Sequence, residues 1–163
     1  MIIRTANIND LDEIYNIEST CFSANEAASK KDLKNRLKYY PNHFWLIFNE
    51  DRLIAFIDGM VTTQKDLADE MYEDASLHDE NGNWQMIFGV NTLPEYRKQG
   101  YASSLINQII SCAKKEKRLG VVLTCKKELI NFYSKFGFVD EGISESEHGG
   151  VIWHQMRLEF DTT

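Results

Sequence analysis

The residues that could first be assigned a chemical role lie in a turn between an apolar run and a helical pattern. They are residues 97–102, with the sequence RKQGYA. A strand that leads into a helix leaves backbone N–H groups unpaired at the positive end of the helix dipole, and such groups attract anions. Gly100 allows an unusual backbone angle, small Ala102 leaves room above the helix, and Arg97 and Lys98 add positive charge. The turn therefore predicts a site that fits a pyrophosphate. An ordinary strand-to-helix turn remains the alternative, and the glycine patterns of phosphate loops and dinucleotide fingerprints are absent.

The elements that must position this turn follow a mixed α/β order. A capping box of Asn7 and Asp10 opens the first helix, whose inward residues are spaced at helical intervals. The first half of the chain is predicted to contain a strand at 1–6, helices at 11–21 and 29–40, and strands at 43–48 and 52–63. A weaker helical pattern follows at 65–75. The second half is predicted to contain strands at 81–93 and 120–125, helices at 100–117 and 127–136, and closing strands at 138–143 and 150–160.

Composition and charge limit the classes of function. The chain has 163 residues, enough for one sizeable core, and no linker-like or repeated stretch, which predicts a single domain over residues 1–163. A net charge of −7 argues against general nucleic-acid binding. The charge is uneven, since residues 66–80 carry seven acidic residues and no Lys or Arg, whereas residues 97–127 are rich in basic ones. One part of the surface is thus suited to a cation and another to an anion, unless both runs are simply solvated faces.

Other features indicate where the protein works and what it lacks. The N-terminus has no basic start or long apolar stretch, and no apolar run reaches about 20 residues, so we expect a cytoplasmic protein without a membrane partner. Three cysteines without paired spacing predict neither a disulfide framework nor a metal site.

Two motifs resemble those of one enzyme family. Residues 97–102 resemble the R/Q-x-x-G-x-G/A motif of the GNAT superfamily of N-acetyltransferases, and they follow the apolar strand and Pro-Glu-Tyr that are usual there. The sequence NFYSKFGF at residues 131–138 resembles the second signature of the family, a helix with a tyrosine followed closely by Gly-Phe. The likeness covers nearly the whole chain, and within the superfamily it is closest to the arylalkylamine N-acetyltransferases.

The resemblance implies a fold and a co-substrate. The fold is an α/β (α+β) GNAT fold, with a central mixed, mostly antiparallel sheet that is splayed between its fourth and fifth strands and flanked by helices. The co-substrate is acetyl-CoA, with its pyrophosphate on the turn and its pantetheine arm along the edge of the preceding strand. The residues expected to bind it are Val90, Asn91, Thr92, Leu93, Arg97, Lys98, Gln99, Gly100, Tyr101 and Ala102.

The resemblance also suggests catalytic groups. Tyr133 matches the tyrosine of the second motif and is expected to protonate the departing CoA sulfur, although its spacing alone is equally typical of a core tyrosine. A backbone amide near Val90 is the expected oxyanion donor. The base differs from that of the arylalkylamine enzymes, because their paired histidines are replaced by Met86 and Phe88, which cannot accept a proton.

Several residues remain candidates for the missing base or the acceptor pocket. His148, expected in a loop beside the acceptor pocket, is the base candidate, with an exposed loop histidine as the alternative. The carboxylates of Glu18, Glu26 and Asp58 could line the pocket, but a structural or solvated role is the stronger expectation for each. Aromatic walls could come from Tyr72, Trp84 and Trp153, although core packing is the stronger expectation for each tryptophan. Cys125 is expected to pack in the core without catalysis, and His154 is expected to be a packed or a surface residue.

These expectations combine into one predicted reaction, the transfer of acetyl from acetyl-CoA to a primary amine by direct attack in a ternary complex. The acidic surface favours a cationic acceptor, either an arylalkylamine, a polyamine or another small amine. The alternatives are a protein lysine or N-terminal acetyltransferase, a sensor that binds acetyl-CoA without turnover, and a partner-binding domain that no longer binds CoA. A homodimer is common in the family and is a further expectation.

Overall fold

The strands form two sheets that meet where two of the predicted strands break. In the computed structural model, which describes residues 1–161, the strands are β1 (Ile2–Thr5), β2 (Phe44–Asn49), β3 (Arg52–Asp58), β4 (Val61–Thr62), β5 (Trp84–Ile87), β6 (Gly89–Thr92), β7 (Gly120–Cys125), β8 (Val139–Ile143) and β9 (His154–Glu159). The order β1-β2-β3-β6 is antiparallel throughout. The order β4-β5-β7-β9-β8 contains one parallel pair, β5 with β7.

Helices cover both faces of this layer. The α-helices are α1 (Leu11–Cys21), α2 (Lys30–Tyr39), α3 (Glu70–Glu73), α4 (Tyr101–Lys115) and α5 (Ile130–Ser134). Alternate residues of β2 separate into two cores, with Phe44 and Leu46 against α1 and α2, and Trp45 and Ile47 against α4. The predicted mixed fold with a mostly antiparallel sheet and flanking helices is confirmed, but its single sheet is divided in two.

Close backbone contact and a buried side chain hold the junction of the two sheets. The predicted strand at 52–63 breaks at Gly59, where an added Cβ would lie 1.8 Å from the carbonyl oxygen of Met86. The Gln85 side chain donates to the carbonyls of Gly59, at 2.9 Å, and Met86, at 2.8 Å, and accepts from His43. These bonds satisfy carbonyls that the break would otherwise leave unpaired.

The predicted strand at 81–93 changes partners at Phe88. Its first half, β5, pairs with β7 as far as Ile87 and Leu123. Its second half, β6, pairs with β3 from Gly89 onward. Within residues 1–161, the edge of β6 that faces away from β3 has no neighbouring strand. The splay predicted between the strands at 81–93 and 120–125, the fourth and fifth predicted from the sequence, is therefore confirmed.

Three predicted elements are shorter than expected. The helix predicted at 65–75 is reduced to α3 and a 3-10 turn, because the side chains of Gln155 and Arg157 bind the backbone of residues 65 and 67. The helix at 127–136 begins with a 3-10 turn, and α5 follows it. The closing strand starts at His154 rather than residue 150, since Gly149 and Gly150 have φ of 65° and 69° and cannot continue a strand.

The predicted start of α1 is confirmed. The Asn7 side chain accepts from the backbone N–H of Asn9 at 2.9 Å, and the Asp10 carboxylate accepts from the backbone N–H of Asn7 at 2.9 Å. This capping box closes a short 3-10 turn that leads into the helix. Every helix within residues 1–161 is too short or too polar to cross a bilayer.

We expect Gly59→Ala to lower the free energy of unfolding by about 3 kcal/mol, the upper end of the usual cost of overpacking. The added Cβ would overlap a backbone oxygen that cannot move without opening the sheet junction. Urea unfolding followed by circular dichroism measures this change. An unchanged unfolding midpoint would contradict the close approach of Gly59 to Met86.

Candidate active site

The turn at residues 97–102 has the backbone geometry of an anion site. Gly100 precedes α4 with φ of 88°, and Lys98 also has a positive φ, 63°. The first bond of the helix runs from the Ser104 N–H to the Gly100 carbonyl at 3.0 Å, and no side chain within residues 1–161 caps the helix. The amides of residues 101–103 therefore point out of the helix end, toward the space that an anion would occupy.

A cavity of about 630 Å³, the turn cleft, runs from this turn along the free edge of β6. Seven of the ten residues predicted to bind the co-substrate line it: Val90, Thr92, Arg97, Lys98, Gly100, Tyr101 and Ala102. The other three do not. Asn91 and Leu93 are buried on the opposite side of β6, as strand alternation requires, and exposed Gln99 hydrogen-bonds the Glu95 carbonyl.

A second cavity of about 280 Å³, the splay pocket, lies between the diverging strands β6 and β7. It shares five residues with the turn cleft: Cys21, Phe22, Val90, Leu129 and Tyr133. Tyr133 is 5% exposed, and its hydroxyl has no hydrogen-bond partner within the described chain. Burial, together with the nearby Cys125, raises the pKa of Tyr133 above its usual range, so the residue remains a phenol that can donate a proton.

Cys125 lies beside Tyr133 at the end of β7. Burial, with smaller contributions from Asp140 and Glu128, raises the pKa of its thiol to about 11. A neutral buried thiol is a poor nucleophile. The geometry thus agrees with the expectation that Cys125 packs without forming an acyl intermediate.

A third cavity of about 420 Å³, the acidic pocket, opens from the other end of the splay pocket. The two share Phe22, Glu26, Phe88 and Trp153. Six carboxylates line the acidic pocket: Glu18, Glu26, Asp32, Asp69, Glu73 and Glu147. Asp69 and Glu73 belong to the acidic run seen in the sequence, whereas the others come from α1, α2 and two loops that only the fold brings together.

Aromatic rings form one wall of the acidic pocket. The Tyr72 ring stacks on His148, with ring centroids 4.7 Å apart, and contacts Phe88 at 4.8 Å. Trp153 completes the wall, and its indole N–H donates to the His148 carbonyl at 2.8 Å. Trp84 packs in the core, which was the stronger expectation for it, since it is buried beneath Arg157 and lines none of the three cavities.

The base candidate His148 lines the acidic pocket, and one hydrogen bond fixes which of its ring nitrogens carries the hydrogen. Its Nε2 is 2.8 Å from the Glu26 carbonyl oxygen, which only accepts, so Nε2 carries hydrogen. In the neutral ring the lone pair is therefore on Nδ1, which has no partner within residues 1–161. Met86 is fully buried in the core, and Phe88 contributes only an aromatic surface to the pocket.

Several buried polar side chains lie around Gly89, beside the acidic pocket. Glu18, expected to be structural or solvated, is 4% exposed and lines the pocket, while its Oε2 accepts from the Ala28 N–H at 2.9 Å. Asp58 is fully buried and pairs with Arg36 at 2.9 Å. Burial, and next the charge of Asp58, raises the pKa of Glu18 to about 7.

One group of metal-ligand residue types lies elsewhere in residues 1–161, where atoms of His43, His78 and Glu80 lie within 4.8 Å of one another. The Val61 N–H donates to His78 Nδ1 at 3.0 Å, so the neutral ring carries its hydrogen on Nε2, facing Glu80. That nitrogen has no lone pair for a metal ion. Arg118 also contacts Glu80 at 3.0 Å, and the arrangement fits a hydrogen-bonded ion-pair network.

Comparison with known proteins agrees with this geometry. A model of the acetyltransferase (GNAT) family matches residues 11–138. The chain belongs to the GNAT family. It is therefore an acetyltransferase-family enzyme whose site uses an acyl-CoA, and the turn cleft contains the family's signature turn.

Solved GNAT structures share the fold at low identity. The GphF GNAT-like decarboxylase in complex with isobutyryl-CoA has 19% identity and a TM-score of 0.84, covering 98% of this chain and 99% of that one. The ribosomal-protein-S18-alanine N-acetyltransferase from Escherichia coli has 17% identity and a TM-score of 0.75, covering 99% and 95%. The PaiA N-acetyltransferase from Thermoplasma acidophilum in complex with coenzyme A has 18% identity and a TM-score of 0.71, covering 98% of both chains. At such identities the likeness establishes the fold and leaves the acceptor open.

Gly100→Ala is expected to weaken CoA binding by at least about tenfold, or about 1.4 kcal/mol, because its Cβ would project beside the amides that face the anion. Isothermal titration with CoA measures the change. Gly142→Ala is the matched control, since Gly142 has φ of 94° and equally open surroundings but lies in β8. Equal CoA affinity in both variants would contradict the anion site.

The His78 network predicts a pH-dependent stability. Burial lowers the pKa of His78, so the folded protein holds this ring neutral while the unfolded chain protonates it near pH 6.5. The stabilisation is thus complete above about pH 6.5 and is lost as the pH falls through the lower folded pKa. We expect the stability difference between the wild type and His78→Asn to shrink in that window. Urea unfolding from pH 8 to 5 measures it, and a constant difference would contradict the neutral ring.

Proposed function

We propose that this GNAT enzyme transfers the acetyl group of acetyl-CoA to a cationic primary amine. One observation carries the proposal: the three cavities adjoin one another and share lining residues. Phe22, at the end of α1, lines the turn cleft, the splay pocket and the acidic pocket. An acyl-CoA that enters at the turn and an amine that enters through the acidic pocket would therefore meet in the splay pocket.

The acceptor class follows from the composition of the acidic pocket. Six carboxylates line it, and one of them, Glu26, is paired with Lys126 at 2.9 Å. Its one arginine, Arg36, is already bound to Asp58 and to the Tyr72 carbonyl. Such a site attracts an ammonium group and repels an anion. The wall of Tyr72, Phe88 and Trp153 adds aromatic surface for a cation or a ring. These features support a small arylalkylamine or a polyamine as the acceptor.

The free edge of β6 supports the expected position of the thioester. The Thr92 carbonyl accepts from Arg97 at 3.1 Å and from the Cys21 thiol at 3.3 Å, so it faces away from β3. By strand alternation, the peptide groups of Val90 face the same side and are placed to pair with the pantetheine arm or to stabilise an oxyanion.

The side chains around the splay pocket supply the proton chemistry. An amine with pKa of about 10.4 is neutral in about one molecule in a thousand at pH 7, a cost of roughly 4–5 kcal/mol, so a base must take its proton. The neutral nitrogen forms a bond to the acetyl carbon as the carbon–sulfur bond breaks. Tyr133, with its unpaired hydroxyl, donates the proton that the departing thiolate needs. His148 is one group in the pocket that can accept the amine proton, through Nδ1.

The acidic pocket also distinguishes amine transfer from decarboxylation, the activity of the structurally similar GphF protein. A decarboxylase must bind an acyl chain that ends in a carboxylate. The six carboxylates of this pocket would repel such a chain, and Arg36 is not free to compensate. A sensor without turnover has the same binding residues but does not require the unpaired Tyr133 hydroxyl.

The test is CoA release from acetyl-CoA, measured with a free-thiol reagent across arylalkylamines, polyamines, amino acids and lysine peptides. We expect release only with a cationic amine, and a fall in kcat of about 10²-fold or more in Tyr133→Phe with nearly unchanged acetyl-CoA affinity. Phe136→Leu, in the same aromatic cluster but away from the three cavities, controls for packing.

Other outcomes separate the alternatives. Acetyl-CoA binding without release by any amine would favour the sensor, and preference for a lysine peptide would favour a protein acetyltransferase. Loss of CO₂ from malonyl-CoA without an amine would favour a decarboxylase.

A further inference from the structure

Three buried polar side chains converge on Gly89, the residue where β6 begins. The position of a Cβ on Gly89 would be 2.9 Å from Asn91 Nδ2, 3.2 Å from Glu18 Oε1 and 3.6 Å from Asp58 Oδ1. Each of these atoms is shielded from solvent and forms no hydrogen bond of good geometry within residues 1–161. The Asn91 side chain is still near enough to Glu18, and the Gly89 backbone near enough to Asp58, to lower the pKa of each carboxyl group in part. Buried polar atoms without partners are rare in proteins, and several around one glycine indicate a place where a ligand atom or a proton is exchanged.

The charges in this group do not balance. Arg36 from α2 pairs with Asp58 from β3 through a 2.9 Å bond, and its other nitrogen donates to the Tyr72 carbonyl. That leaves the Glu18 carboxylate without a buried cation of its own. Its remaining neighbours are the Ala28 N–H, which holds Oε2, neutral Asn91 from β6, and the thiol of Cys21, one turn further along α1.

Glu18 is oriented toward the chemistry by these contacts. The bond from Ala28 fixes one carboxylate oxygen and leaves Oε1 beside Gly89. Gly89 lines the acidic pocket, and the next residue is Val90, which lines the splay pocket. The free oxygen of Glu18 thus lies where the acceptor amine would leave the acidic pocket for the thioester.

We propose that Glu18 is the general base of this enzyme: a rotation of its side chain brings the shielded Oε1 into the acidic pocket, where it takes the proton from the acceptor ammonium, a role that rests on the proposed acetyl transfer. The N–H bond breaks and an O–H bond forms on Oε1, which leaves the nitrogen lone pair free to attack the acetyl carbon. The carbon–sulfur bond then breaks, and the Tyr133 proton passes to the sulfur. The second proton that the nitrogen loses on becoming an amide replaces it on the Tyr133 oxygen. The proton on Glu18 later leaves to water through the acidic pocket.

The protonation equilibrium of Glu18 suits this role. Its pKa of about 7 means that a large fraction is ionised and ready to accept a proton at neutral pH. The charges that face it are Asp58 from β3, which raises the pKa, and Arg36 from α2, which lowers it. An exposed carboxylate of ordinary pKa would be a far weaker base toward an ammonium.

The lack of a side chain on Gly89 allows the contact. A methyl group there would lie within 3.2 Å of both Glu18 Oε1 and Asn91 Nδ2, and so would occupy the space between the carboxylate and the pocket. No positive φ requires a glycine at this position. Space for an incoming group is thus the physical reason for this residue.

The experiment compares the pH dependence of kcat/KM in the wild type and in five variants, with the best acceptor of the amine panel. The variants are Glu18→Gln, Glu18→Asp, Glu13→Gln, Glu26→Gln and His148→Gln. Glu13 is the matched control, because it also lies on α1 and accepts a backbone N–H, that of Leu53, away from the three cavities. Titration with CoA checks that each variant is folded and binds the co-substrate. The ¹³C signal of the Glu18 carboxyl group, assigned by its loss in Glu18→Gln, gives its pKa without turnover.

We expect Glu18→Gln to bind CoA like the wild type but to lose at least about 10²-fold in kcat/KM, and to lose the break in the pH profile near 7. Glu13→Gln should keep the wild-type profile, and Glu26→Gln should keep the break while raising KM for the amine. Glu18→Asp should restore part of the rate.

The inference is overturned if Glu18→Gln keeps the break near pH 7, if Glu26→Gln or His148→Gln loses it instead, or if the Glu18 carboxyl titrates near pH 4.5. These results, obtained with an active wild-type enzyme, leave the proposed acetyl transfer intact. A wild-type protein that binds CoA and acetylates no amine overturns the acetyl transfer itself, and the base role with it.

Discussion

The change of partner by one strand at Phe88 is the constraint on which the rest of the structure depends. Backbone groups in a sheet must be paired, yet β6 leaves β7 after Ile87 and pairs with β3 alone. This divergence creates a gap between two strands in the middle of the fold. The gap is the splay pocket, and the turn cleft and the acidic pocket open from its two ends. Gln85 and Gly59 hold the place where the strands separate, so the shape of the site depends on residues that no substrate touches.

The turn cleft and the acidic pocket carry charges of opposite sign. The turn cleft combines the end of α4 with Arg97 and Lys98, whereas the far end is lined by carboxylates. Under the proposed function, a phosphate-bearing molecule and an ammonium-bearing molecule would enter at different ends. The apolar side chains between them, Phe22 and Leu129 among others, exclude water from the place where the two substrates react.

Local sequence signals predicted the parts of the site that depend on local structure. The turn at 97–102 and the tyrosine at 133 belong to single segments with recognisable patterns, and the capping box of Asn7 and Asp10 formed as expected. Breaks in strands were not predictable, because they are imposed by contacts between distant segments. The side chains of Gln155 and Arg157, for example, prevent a helix about 90 residues earlier in the chain. The buried group at Gly89 was missed for the same reason, since Glu18, Asp58 and Asn91 come from three elements and show no shared pattern.

The free edge of β6 also bears on strand pairing between molecules. An exposed strand edge is a template on which another chain can add a strand, and native proteins cover or blunt such edges. Here the Thr92 carbonyl is already engaged by the Arg97 guanidinium and by the Cys21 thiol. Both bonds come from side chains, so they occupy a backbone acceptor that another strand would otherwise use, and in the proposed complex a pantetheine amide could displace them.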